Sequence, residues 1–265
     1  VEQSARLVVI GGGNMGAALV QGLLRAGHSH DSLAVCEMNA ARREVLAAMF
    51  PRVPIAETAP PCGDAIIAVK PADAPGACRT VVSAGARRVV SIAAGVRVSA
   101  LQQACGEGVR VARAMPNTAA TVGLSATAVA FADGCSTTDR EWAIALLSSI
   151  GMVVEMPEPM LDAFTGLAGS GPAYVFYLAE ALQQAAIVEG FDAKVAADIV
   201  ARVLVGAAAL LEREPGMARE LRDRVTSPKG TTAAGLSVFE QRDVRQAIID
   251  AMHAATRRSK ELGDA

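Results

Sequence analysis

The sequence predicts an α/β fold: a doubly wound, mainly parallel sheet followed by an all-helical domain. Three observations carry that expectation. Short β-branched runs alternate with helical stretches from residue 6 to about residue 155, the strand pattern stops after Pro159, and a glycine fingerprint closes the first strand. At 265 residues the chain has room for two domains of ordinary size, since domains usually run to roughly 100–150 residues. The expected division is 1–157 and 158–265.

The strand runs are, in order, "RLVVIGGG", "SLAVCEM", "DAIIAVKP", "RRVVSIAAG", "VRVARAMPN", "SATAVAFAD" and "GMVVEMP". Near-continuous apolar stretches such as "AIIAV" and "VVSIAA" fit strands covered on both faces. The helical stretches that follow are "PMLDAFTGLAG", "GPAYVFYLAEALQQAAIVEGF", "DAKVAADIVARVLVGAAALLERE", "PGMARELRDRVTS" and a final one from about Thr231 to Leu262. Pro172 takes a first-turn position, Gly190 and Gly216 lie near helix ends, and Pro215 interrupts the pattern. These helices are rich in Ala, Val and Leu around more of their circumference than one domain needs, as in helices buried on several sides. Subunit association explains this economically; a compact monomeric bundle is the alternative.

A net charge of −2 with interspersed signs offers no basic face for nucleic acid or an anionic membrane, so a small-molecule partner is expected. The five cysteines (Cys36, Cys62, Cys78, Cys105 and Cys135) contain no C-x-x-C pair and sit mostly in apolar segments, as free thiols do in a reducing, cytoplasmic compartment. No apolar signal region precedes the first strand, and "VAADIVARVLVGAAALL" is broken by Asp198 and Arg202 before it can span a bilayer. No metal site is expected.

"LVVIGGGNMGAALVQGLLRAG" places Gly11, Gly13 and Gly16 as G-x-G-x-x-G between a strand and a helix. The first glycine permits the tight turn, the second lets a pyrophosphate approach the backbone, and the third allows close helix-to-strand packing. The helix N-terminus, with roughly half a positive charge, then faces the phosphates. A Rossmann-type dinucleotide site follows, against the plainer reading of a structural turn. The next strand run reaches Glu37, placed to bond a ribose 2′-hydroxyl and favour NAD, or to sit as an exposed strand-end carboxylate. Arg42 and Arg43 can instead meet a 2′-phosphate, so cofactor choice stays open.

Pro71 holds Lys70 out of helical geometry at the carboxyl edge of the sheet, where it either lines the cofactor pocket, donates a proton, or is simply solvated. "SIAAG" and "AMPNT" end later strands at the same edge. Asn117 either orients nicotinamide or substrate, or closes a turn.

The combination "IGGGNMG", "AVKP", "MPNT", "TGLAGSGPAYVF" and "TSPKGTT" resembles the pyrroline-5-carboxylate reductase family over essentially the whole chain. The resemblance implies a Rossmann-type domain, a helical dimerisation domain with dimers often joined into rings, and reduction of 1-pyrroline-5-carboxylate to L-proline by NAD(P)H. It favours NADPH, while Glu37 leaves NADH open. It extends the cofactor set to Gly11, Gly12, Gly13, Asn14, Met15, Gly16, Glu37, Ala68, Val69, Lys70, Pro71 and Asn117.

The same resemblance implies that the 224–235 loop serves the partner subunit, with Ser227, Gly230 and Thr231 on the substrate carboxylate and Thr232, the catalytic candidate, on the ring nitrogen. Successive backbone amides at a helix start make an anion nest without a basic side chain; an ordinary Ser or Thr N-cap is the plainer reading. One departure stands out: the family pattern "SPGGTT" is here "SPKGTT", with Lys229 at the first glycine position. If that position needs a positive φ, lysine costs roughly a kcal/mol or more; alternatively its ammonium attracts an anionic substrate.

No general acid is required, because a cyclic imine can enter already protonated and accept hydride directly. The three histidines, His28, His30 and His253, read as surface or packing residues. Related sugar-acid and β-hydroxyacid dehydrogenases carry a catalytic Lys after a similar glycine segment, where this chain has Val175. The segment 165–176 itself reads mainly as a close helix-packing element. Two rivals remain at this point: a reductase of small keto or hydroxy acids with Lys70 as proton donor, and a non-catalytic dinucleotide sensor.

Overall fold

The computed structural model describes residues 7–263. One sheet contains β1 (Leu7–Ile10), β2 (Leu33–Cys36), β3 (Ile55–Ala56), β4 (Asp64–Ile67), β5 (Arg88–Ser91), β6 (Arg110–Met115), β7 (Ser125–Phe131) and β8 (Gly151–Glu155). Their order is β3-β2-β1-β4-β5-β6-β7-β8. Every neighbouring pair is parallel except β6 and β7. Each of the seven apolar runs contains one strand. The eighth, β3, is the unforeseen one: it spans two residues, just after Pro54, at the sheet edge where proline is tolerated.

Both faces of the sheet are covered, as the continuous apolar runs require. Helices α1 (Asn14–Arg25), α2 (Ala40–Met49) and α5 (Thr137–Ser148) lay Leu19, Leu23, Leu46 and Leu147 against Val9, Val35 and Val90. On the other face α3 (Ala74–Ser83) and α4 (Val98–Cys105) lay Cys78, Val81 and Leu101 against Val8, Ile67 and Val89. Burying each large aliphatic side chain stabilises the layer by about 1.5–3 kcal/mol. The start of α5 is fixed by a reciprocal cap: the Ser136 hydroxyl accepts the Asp139 amide, and the Asp139 carboxylate accepts the Ser136 amide.

The helical part begins with α6 (Leu161–Phe164), continues through a π-helical turn at Thr165–Gly169, and runs on as α7 (Gly171–Val188), α8 (Ala193–Arg213) and α9 (Ala218–Arg224). Pro172 sits in the first turn of α7 and Gly190 follows its end at φ +96°, as the sequence punctuation requires. The final stretch expected from Thr231 to Leu262 divides into α10 (Thr231–Gln241) and α11 (Val244–Gly263), because Asp243 takes a left-handed φ of 49° between them. Neither Gly nor Pro marks that break, and Asp is one of the few residue types that tolerate the conformation.

The chain closes into two compact units: residues up to Ser170 together with those from Ala254 onward, and Gly171–His253. The last helix therefore starts in the second unit and ends in the first. In the second unit α7 buries none of its residues within the single chain and exposes Phe176, Tyr177 and Val188. Among the described residues no helix is long and apolar enough to cross a membrane.

Candidate active site

The order of the strands reverses between β1 and β4, the point at which an open α/β sheet opens a crevice at its carboxyl edge. The glycine loop lies there. Gly11 takes φ +98°, and a Cβ on it would stand 2.5 Å from the Ala68 carbonyl oxygen at the end of β4. A Cβ on Gly16 would stand 2.0 Å from the Gly11 carbonyl oxygen, so α1 can approach the loop only with glycine at that position. Gly13 has nothing within 4 Å of its Cβ position. Space for a ligand therefore lies over Gly13, while Gly11 and Gly16 close the turn beneath it.

Gly13 caps α1 without a side chain, and no acidic residue occupies the first turn. By helix geometry the amides of Asn14, Met15 and Gly16 have no intrahelical acceptor, so they and the helix dipole are available to a phosphate. These features fit the pyrophosphate of a dinucleotide. Met15 and Asn14 also border a groove of about 370 Å³ that Gln21, Arg42, Met49 and Thr118 help to line.

Glu37, immediately after β2, is tied into this loop. Its Oε2 accepts the Gly12 amide at 2.8 Å and its Oε1 accepts the Asn39 amide at 2.8 Å. Each carboxylate oxygen keeps a second lone pair, which is what a ribose hydroxyl would need. Arg42 donates from Nε to the Gly12 carbonyl at 2.6 Å. Arg43 is committed to the Glu37 and Met38 carbonyls and to the Glu57 carboxylate, so of the two arginines Arg42 keeps its terminal nitrogens for a 2′-phosphate. The link from Arg42 to Gly12 is invisible in the sequence, where nothing marks a pairing 30 residues apart.

Ala68 and Val69 flank Gly11, and Lys70 lies exposed and extended before Pro71, which opens a short 3-10 turn. Asn117 closes a turn: its Oδ1 accepts the Ala119 amide at 3.2 Å while its Nδ2 donates to the Ala168 carbonyl at 3.0 Å. That second bond joins the end of β6 to the π-helical turn. The same two segments meet where a Cβ on Gly169 would stand 2.9 Å from Met115 Cε. Close packing thus explains Gly169, whereas Gly171 has open space around it.

Below this edge lies a buried ionic cluster that the sequence does not announce. Arg113, 2% exposed in the middle of β6, donates to Glu158 Oε1 at 2.9 Å and lies 3.9 Å from Asp162 Oδ1. Asp162 also accepts from Arg97 at 2.8 Å and from the Ser259 hydroxyl at 2.8 Å. Burial alone would raise the Asp162 pKa, but the bonds from Arg97 and Ser259 and the charges of Arg97 and Arg113 outweigh it and hold the carboxyl below its ordinary range. The available signal is Arg113 itself, a charge in the interior of a strand whose other residues after Arg110 are apolar.

In the second unit, the loop before α10 leads into a helix start without a side-chain cap. Gly230 caps the helix without a side chain, and its amide donates to the Ser227 carbonyl at 3.0 Å. A Cβ on Gly230 would stand 2.3 Å from Ser227 Oγ, so glycine is required for Ser227 to lie over the turn. The amides of Thr231, Thr232 and Ala233 lack intrahelical acceptors by position. Lys229 takes φ 61°, a left-handed conformation that glycine adopts freely. Arg224 pairs with Glu214 and Arg222 with Asp223 in the residues before the loop.

Comparison with known proteins decides the family. Residues 158–262 match the family model for pyrroline-5-carboxylate reductase dimerisation, and residues 6–95 match that for NADP oxidoreductase, coenzyme F420-dependent. The pyrroline-5-carboxylate reductase of Methanosarcina acetivorans is 37% identical, the alignment covering 98% of this chain and 99% of that protein. The chain belongs to the pyrroline-5-carboxylate reductase family. The structure of a pyrroline-5-carboxylate reductase from Coxiella burnetii superposes with a TM-score of 0.89 at 29% identity, covering 98% of this chain and 99% of that one. That of the Plasmodium falciparum enzyme with NADP bound shares the fold, with a TM-score of 0.85 at 23% identity and 98% of each chain covered. As a pyrroline-5-carboxylate reductase, the protein is an NAD(P)-dependent oxidoreductase that forms L-proline from 1-pyrroline-5-carboxylate, the last step of proline biosynthesis.

Proposed function

We propose a division of labour between the two motif sets, one holding the coenzyme and the other the substrate. Gly11 to Gly16 take the pyrophosphate, Ala68, Val69, Lys70, Pro71 and Asn117 border the coenzyme at the carboxyl edge, and Glu37 and Arg42 meet the adenosine ribose. Ser227, Gly230 and Thr231 take the substrate carboxylate, and Thr232 accepts a hydrogen bond from the protonated ring nitrogen. The bound coenzyme supplies a hydride to the imine carbon. The carbon–nitrogen double bond becomes single, and the nitrogen keeps the proton it brought.

The observation that carries this reading is the uncapped start of α10, where Gly230 leaves room for Ser227 and the first-turn amides lack intrahelical acceptors. A fixed nest that orients an iminium ion needs no titrating acid beside it. The dimerisation and substrate-binding part spans 158–265, two copies associate through the apolar surface of α7 and its neighbours, and dimers join into a ring. In that assembly the nest of one copy serves the coenzyme of the other. A cytoplasmic setting is supported by the five cysteines, all free thiols.

The test follows nicotinamide absorbance with 1-pyrroline-5-carboxylate beside a panel of 2-keto and 3-hydroxy acids. Turnover confined to the cyclic imine is expected, and oxidation of coenzyme by a keto acid alone would overturn the reading.

A further inference from the structure

The substrate loop carries one feature that its nest chemistry does not need. Lys229 holds φ 61°, a conformation that glycine adopts freely and that crowds the Cβ of any other residue. Its neighbours close the turn through the Gly230 amide, which donates to the Ser227 carbonyl, and at the φ between them only glycine would be unstrained. Strain that persists at a ligand loop calls for a compensating role of the side chain.

The side chain is exposed, and among the described residues its ammonium makes no hydrogen bond or ion pair. Of the carboxylates on either side in sequence, Asp223 is matched to Arg222 and Glu240 to Arg245. The positive charge has no fixed counter-ion among the described residues. It stands one residue before the helix cap whose free amides carry the same sign of potential.

We propose that Lys229 is a specificity-determining residue for the substrate carboxylate, an electrostatic lead-in that raises the affinity of the adjoining nest for anionic rings. The inference rests on the assignment of 227–232 as the carboxylate site. The ammonium does not touch the reacting carbon or the ring nitrogen. It acts on binding, so its signature is in KM and in salt dependence rather than in kcat.

The experiment compares the full-length protein with Lys229→Gln, Lys229→Arg and Lys229→Gly, at low and high ionic strength. Two substrates are used: the carboxylated imine, 1-pyrroline-5-carboxylate, and the uncharged ring that lacks the carboxylate, 1-pyrroline. For Lys229→Gln the KM of the carboxylated imine is expected to rise about fivefold at low salt, the worth of one exposed charge at contact distance, and the difference should shrink at high salt. Lys229→Arg should retain the native KM, and the uncharged ring should bind every variant as it binds the native protein. Lys229→Gly should melt higher while showing the same KM defect. A native KM in Lys229→Gln, or an equal rise for the uncharged ring, overturns the proposal. A defect in Lys229→Gly without one in Lys229→Gln also overturns it, because backbone geometry would then be the cause. Absence of any turnover by the unmodified protein would instead sink the assignment of the loop itself.

Discussion

Glu37 and Gly12 are joined by a hydrogen bond of 2.8 Å, from the amide in the middle of the glycine fingerprint to a carboxylate 25 residues downstream. One side chain thus serves as a strut for the glycine loop, and the same carboxylate is the proposed acceptor for the ribose. Glu37→Gln keeps an acceptor for the loop but removes the charge. It should move the coenzyme preference toward NADPH, because the negative charge facing a 2′-phosphate is gone while Arg42 remains. Dissociation constants for NADH and NADPH, read by nicotinamide fluorescence, check this, and an unchanged ratio removes Glu37 from the ribose site.

Gly16→Ala places a Cβ 2.0 Å from the Gly11 carbonyl oxygen, and backbone cannot swing aside as a side chain can. The helix must move off the strand, at a cost of about 1–3 kcal/mol or more. A melting temperature lower by several degrees and loss of measurable coenzyme binding are expected together. Native coenzyme affinity in that variant would show that the loop does not hold the pyrophosphate.

Gly230→Ala meets Ser227 Oγ at 2.3 Å. Because the obstacle is a hydroxyl on an exposed turn, the side chain can rotate away and the fold should survive. The proposed carboxylate contact from Ser227 would then be lost, so KM for the carboxylated imine should rise about tenfold, as for one hydrogen bond to a charged group, with coenzyme affinity unaltered. Steady-state kinetics and a coenzyme titration on the same preparation check the pair of outcomes.

Asp162→Asn leaves Arg97 and Arg113 short of a carboxylate in a buried place, and breaking such a pair typically costs about 3–5 kcal/mol. The pH dependence has a definite sign. The folded-state pKa of Asp162 is depressed, so its contribution is complete above the unfolded value near 3.9 and is lost as the pH falls through the lower folded value. The stability gap between native protein and variant should therefore be full at neutral pH and close only below about pH 4. Denaturant melts across that range check it, and a gap independent of pH would contradict the ionic role.

Much of the fold and of the coenzyme loop is legible in the residues. The seven strand runs, the glycine turn and the helix punctuation at Pro172 and Gly190 depend on local rules of burial and backbone freedom, and local rules leave local marks. Position 229 poses a question in the sequence, whether it needs a positive φ, and the structure answers it with φ 61° at lysine. What escapes depends on distance along the chain or on weak local signals. The edge strand β3 is two residues long beside a proline, and the break at Asp243 uses a residue that only tolerates its conformation. The cluster of Arg97, Arg113, Glu158, Asp162 and Ser259 is assembled from segments far apart in the chain. For Asn117 the sequence allows two roles, and its hydrogen bonds to Ala119 and Ala168 make it a turn-closing residue whatever else it touches.

The bond from Ser259 to Asp162 spans 97 positions of sequence, and it has a bearing on how the protein is made. Domains generally fold as they emerge during synthesis, yet here the nucleotide-binding half is missing a wall until the closing turns of α11 have left the ribosome. A nascent chain stalled in the helical segment before α11 would carry Asp162 and its arginines without the Ser259 hydroxyl.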